Sequence, residues 1–144
     1  MMNTLEIESE NAVAHLYKLT TWLRERIKNT STTALYDMRK YYPRAYEIYK
    51  DYKRNVIYNS VIRNLTRGIE EGLFRKDLNP EILAQLRIGE IELSFNKEFF
   101  PEDKHSLVEI HDQLFEHFTY GILSEEGVKL FETYKQKNNI NEPI

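Results

Sequence analysis

A chain of 144 residues can fold as one domain with a core of its own, and 41% hydrophobic and 30% charged residues with only 5 Gly and 4 Pro leave room for long helices rather than the many turns of a β-sandwich. The formal charge of −3 argues against broad nucleic-acid binding, and the absence of cysteine excludes disulfides, thiolate chemistry and cysteine-based zinc sites. No apolar run nears the roughly 18 residues of a membrane span and no signal-peptide pattern is present, so the expectation is a cytoplasmic protein without a membrane partner.

The first apolar period runs through Val13, Leu16, Tyr17, Leu23 and Ile27, with Trp22 beside it, spaced as one helical face. Asn29-Thr30-Ser31 breaks that helix, and Thr30 or Ser31 is placed to cap a short second one reaching about Lys40. Tyr41-Tyr42-Pro43 marks the next boundary, because proline suits the first turn of a new helix. From 43 to about 72 no proline intervenes, which predicts a helix of roughly 30 residues and about 45 Å, straight or kinked near 53–55, with Gly72 as its stop. Asn79-Pro80-Glu81 then reads as a helix start: a cap, a proline at the first position and an acid at the positive end of the dipole. That helix, over 80–96, has two apolar sides, one along Ile82, Leu86, Gly89 and Leu93 and the other spread over Leu83, Ile88, Ile91 and Phe95. After a loop with Pro101, a helix carrying Leu107, Ile110, Leu114, Phe118 and Ile122 opens at Asp103 or at the Ser106-to-Glu109 capping box. Ser124-Glu125-Glu126 caps a last helix through about Lys135. The pattern predicts an all-α bundle of about six helices, with 1–144 as a single domain.

Candidate chemistry is sparse. There is no nucleophile elbow, phosphate-cradling loop or carboxylate dyad, so no catalytic residue, cofactor or enzymatic activity is expected. His105, His111 and His117 lie six apart and point about 240° away from one another in succession, so they cannot share a metal and are expected at a surface or interface. The basic run Lys50, Lys53, Arg54, Arg63 and Arg67 reads as a solvated face in preference to an anion site. Ten tyrosines crowd toward 36–58. Tyr36, Tyr46, Tyr49 and Tyr52, with Trp22 and Met38 as neighbours and Asn55 and Asn59 four apart on the same helix, could line a ligand pocket; the alternative is half-buried core residues with wet hydroxyls.

The stretch Arg67-Gly68-Ile69-Glu70-Glu71-Gly72-Leu73-Phe74-Arg75-Lys76-Asp77-Leu78-Asn79-Pro80 resembles a recurrent segment of TetR-type transcriptional regulators, in which a long helix ends in Gly-x-x-x-Gly-x-Phe-Arg before an acidic turn and a proline-started helix. The order of elements from about Asn11 to Tyr134 is similar as well. The resemblance implies the C-terminal regulatory-domain fold, a small-molecule effector cavity among the helices at 12–28, 32–40 and 43–72, and a homodimer built by the two C-terminal helices across a twofold axis. On that basis Ile88, Ile91, Leu107, Leu114, Phe115 and Phe118 are expected at the dimer interface, with Gly89 and Gly121 allowing close backbone approach; the alternative is that these faces are internal core. One departure matters: only a short polar segment precedes the first helix, where the family carries its helix-turn-helix head. Direct nucleic-acid binding by this chain is therefore not expected. The reading is an effector-sensing and homodimerisation domain, headless or truncated. Its rival is a headless interaction protein that heterodimerises with full-length relatives and modulates their DNA binding.

Overall fold

A computed structural model describes the protein over residues 9–29 and 32–141. Six helices occupy these residues: α1 (Ala12–Lys28), α2 (Thr32–Tyr41), α3 (Pro43–Glu70), α4 (Pro80–Ser94), α5 (Leu107–Ile122) and α6 (Glu125–Asn141). Among the described residues there is no strand, only an isolated bridge between Phe74 and Leu123, and no helix is long and apolar enough to cross a membrane.

The helix starts follow from their capping chemistry. Asn11 Oδ1 accepts from the Ala14 backbone N–H at 2.7 Å to open α1, Asn79 Oδ1 accepts from Glu81 N–H at 3.0 Å to open α4, and Ser106 Oγ accepts from Glu109 N–H at 3.1 Å to open α5. Of the two starts considered for α5, Ser106 is therefore the one used. Each cap satisfies an amide that the helix itself leaves unpaired, worth about 1 kcal/mol. Ser124 plays the same part before α6, accepting from Gly127 N–H at 3.1 Å. The cap expected at Thr30 or Ser31 lies outside the described residues. α3 runs unbroken across 53–55, and α6 continues past Lys135 to Asn141.

The end of α3 is the joint of the fold. Gly72 takes φ +74°, Leu73 N–H donates to Gly68 O at 2.9 Å and Gly72 N–H to Ile69 O at 3.1 Å, a Schellman closure that a Cβ at Gly72 would strain. The chain then docks on the α5–α6 corner: Arg75 N–H donates to Ile122 O at 2.8 Å, Ser124 N–H to Leu73 O at 3.0 Å and Ser124 Oγ to Gly72 O at 2.7 Å. The same joint holds the start of α1. Glu71 Oε1 accepts from Ala12 N–H at 2.8 Å, Asn64 Nδ2 donates to Ala12 O at 3.2 Å, and Arg67, itself bonded to Glu71 at 3.2 Å, donates to Ser9 O at 2.8 Å.

α1 is the central helix, packed against α3, α5 and α6, while α2 and α4 pack on α3 and α4 also meets α5. Its first half is buried from Ala12 to Leu16, and Ala12, Val13 and Leu16 join Leu65, Phe74, Phe115, Phe118, Ile122, Leu123 and Phe131 in one core. Only the second half of α3 enters this core: its buried residues are Ser60, Asn64, Leu65 and Gly68.

Several expectations need correcting. Ile88, Phe115 and Phe118, assigned to a dimer interface, are only 4–6% exposed within the protomer. They face inward because α4 and α5 pack on each other and α5 packs on α1. His111, with His15, is likewise buried rather than at a surface. Close approach falls on other glycines: a Cβ at Gly68 would enter the Phe74 ring and one at Gly127 would meet the Leu73 carbonyl, whereas a Cβ at Gly89 or Gly121 would meet nothing within 4 Å.

Candidate functional site

The bundle encloses a narrow cleft between α1, α3, α4 and α5. Its interior is about 20 Å³, room for about one water, and it opens to solvent at its mouth. α1 contributes His15, Leu16, Leu19 and Leu23, and α3 contributes Ser60, Val61, Asn64 and Leu65. Phe74 from the joint closes one side, and Arg87 of α4 faces Phe115, Phe118 and Ile122 of α5.

Arg87 is the one permanent charge among these residues. It is 5% exposed, and its guanidinium carbon lies 5.3 Å from the Phe115 ring centre and 5.7 Å from that of Phe118. Such cation–π contacts offset part of the desolvation cost, by about 0.5–2 kcal/mol each. Burial pushes its pKa down to about 10, with the nearby Glu90 acting the other way, so it stays protonated at neutral pH. Its buried Nη2 has no hydrogen-bond partner among the described residues. Glu90 responds in kind: burial raises its carboxyl above the usual range, against the pull of Arg87 and His117, and its buried Oε1 is also without a hydrogen-bond partner.

His111 borders this cluster, stacked on Phe115 at 6.2 Å and 13°. Its Nδ1 lies 3.4 Å from Asp112 Oδ1, and Asp112 in turn accepts from Arg24 of α1 at 3.1 Å. Burial, then the charge of Arg87, lowers the His111 pKa despite Asp112. The unfolded chain therefore takes up a proton below about pH 6.5 that folded His111 refuses until lower pH, and stability falls as pH drops through that window. Unfolding free energy measured between about pH 7.5 and 5.5 should decline more steeply for the wild type than for His111→Phe, whose ring keeps the stack and does not titrate.

The expected ligand-binding residues lie elsewhere. Tyr36, Tyr49 and Tyr52 are exposed, as are Asn55 and Asn59, while Trp22, Met38 and Tyr46 are half-buried; none of the eight lines the cleft. The first half of α3 buries no residue, so its tyrosines decorate a surface, with Lys53 over the Tyr49 ring at 4.9 Å and Arg26 over Trp22 at 5.0 Å. The basic run is partly paired, Arg54 with Glu92 at 2.9 Å and Arg67 with Glu71 at 3.2 Å. Of the expected interface residues, Ile91, Leu107 and Leu114 are half-buried, and on the outer side of α4 Ile82 and Leu86 are 63% and 52% exposed. No group of three or more His, Asp or Glu able to hold a metal ion occurs among the described residues.

Arg87 escapes a reading based on motifs because it belongs to none. The signal available was positional: it lies three residues after Ala84 and beside Ile88, in register with the buried stripe of α4, where a cation has to be matched by something. Comparison of the chain with family profiles, with curated proteins and with solved structures finds no match.

Proposed function

We propose that the chain is the effector-sensing and homodimerisation domain of a TetR-type transcriptional regulator. The observation that carries this reading is the cleft with a buried cation, one wall of which is α1, the helix that the resemblance joins to the DNA-binding head. A molecule seated against Leu16, Leu19 and Leu23 presses on α1, while the first turn of α1 is held by Asn64 and Glu71. α1 would then pivot about that fixed end. Such a ligand shifts the switch only through different affinity for the two tilts.

Dimerisation in this reading uses the outward sides of α4 and α5, where Ile82, Leu86, Ile91, Leu107 and Leu114 leave apolar surface and Gly89 and Gly121 leave backbone uncovered. The pairing is isologous, each patch meeting its own copy. Light scattering at micromolar concentration should give a dimer, and Leu114→Glu should give a monomer with unchanged far-UV circular dichroism. A wild-type monomer at those concentrations overturns the dimer. The sensing part is tested by titrating small molecules while following Trp22 fluorescence, since Trp22 lies on α1; a saturable change is expected, and none across acids, amides and amines overturns it.

A further inference from the structure

We propose that the cleft between α1, α3, α4 and α5 takes a small organic carboxylate, which pairs with Arg87 and lays a short apolar body against Leu16, Leu19 and Phe118. The proposal rests on the sensing reading and gives the ligand its chemical class. A guanidinium withdrawn from water is costly unless its N–H groups are matched. Here the Phe115 and Phe118 rings attract the charge but offer no conventional acceptor, and Nη2 has no partner among the described residues. Glu90, the acid that acts on Arg87 from its own helix, does not form an ion pair with it, and burial favours its neutral form. His111 faces the same charge from α5 and is held neutral, which adds no competing cation at pH 7. A buried guanidinium with an unmatched nitrogen favours an anionic partner, and its planar fork matches a carboxylate in a bidentate pair.

The walls decide which anion. Apart from Arg87 and a few polar groups the lining is aliphatic and aromatic, so a multiply charged, strongly hydrated anion such as phosphate would lose more hydration than one cation returns. A singly charged carboxylate with a short hydrocarbon or phenyl group satisfies both the cation and the walls. The tight interior means that entry pushes α1 outward, which links occupancy to the helix tilt invoked above.

The experiment is calorimetric titration of the full chain with butyrate and benzoate, with butyramide and benzamide as uncharged matches, and with inorganic phosphate. Both carboxylates should bind, the amides and phosphate at least 10-fold more weakly. Arg87→Met should weaken carboxylate binding roughly 10- to 100-fold, the loss expected for hydrogen bonds to a charged group. Arg87→Lys, which keeps the charge and loses the fork, should fall between, and it serves as the second variant should Arg87→Met fail to fold. Amides or phosphate binding as tightly as the acids overturns the proposal, and so does carboxylate binding indifferent to both variants. If the amides bind and the acids do not, the carboxylate class falls while the sensing reading stands; if no probe binds, the carboxylate class falls, and the sensing reading falls with it when the amines of the Trp22 titration are also silent.

Discussion

Replacing Phe74 with alanine should cost about 3–5 kcal/mol of folding stability, and adding Gly68→Ala to that variant should give some of it back. Phe74 is 1% exposed, belongs to the main core and is the largest fully buried side chain in the described protein. It sits where the turn after α3 meets the corner between α5 and α6, so the void left by its ring would open at the joint itself. A loss of this size lowers the melting temperature on the order of 10 °C for a chain of this length. In the wild type, Gly68→Ala should be destabilising by about 1–3 kcal/mol, because its new methyl would enter the Phe74 ring and the core must shift to admit it. With the ring gone that obstacle disappears. Alanine is then the better helix former by about 0.8–1 kcal/mol, and its methyl fills part of the void. The same substitution thus changes sign with its neighbour. Denaturant midpoints of the four proteins check this; a Gly68→Ala penalty equal in both backgrounds would show that the ring is not what excludes the methyl. Phe74→Leu gives a milder version of the cycle if the alanine variant is too unstable to measure.

The pair also explains why so much of the fold was legible. A cap, a proline or a left-handed glycine acts within a few residues, and Asn79, Ser106, Ser124 and Gly72 all do what their local chemistry dictates. The spacing of glycines and Phe74 carries further, because it fixes both how α3 ends and what packs beneath it. Which part of a long helix is inside depends on where other helices cross it, and that is a tertiary fact. The tyrosine-rich half of α3 reads as a pocket wall, yet the residues that α3 buries are Ser60, Asn64, Leu65 and Gly68, which begin two residues beyond Tyr58. The same limit applied to α4 and α5. Their excess of apolar circumference was evident, but only the packing separates Ile88, Phe115 and Phe118, which are core, from Ile82 and Leu86, which are not. Arg87 lay beyond reach for a different reason: a cation one step from Ile88 becomes informative only when its surroundings prove to be rings and a cleft.

Arg87→Met should make the ligand-free protein more stable, by about 1–3 kcal/mol, while a substitution of similar size at any neighbouring core position makes it less so. Methionine keeps most of the unbranched volume of the arginine stem and packs its sulfur against Phe115 and Phe118, which recovers part of the lost ring attraction. What disappears is a charge held away from water with an unmatched nitrogen. A residue whose removal strengthens the fold is retained for something other than folding, which is the pattern expected of a binding group that costs stability when empty. Glu90 tempers the gain. Without Arg87 its partly buried carboxyl loses the larger of the two charges that favour ionisation, His117 being the other, so its pKa rises further above the unfolded value and the ionised form destabilises the fold as pH climbs through that window. The stability gain of Arg87→Met should therefore be larger in mildly acidic than in alkaline buffer, and Glu90→Gln in the same background should flatten the difference. Equilibrium unfolding of the three proteins across that range decides the point: a loss of stability in Arg87→Met at every pH would assign Arg87 to the framework of the bundle and not to its cleft.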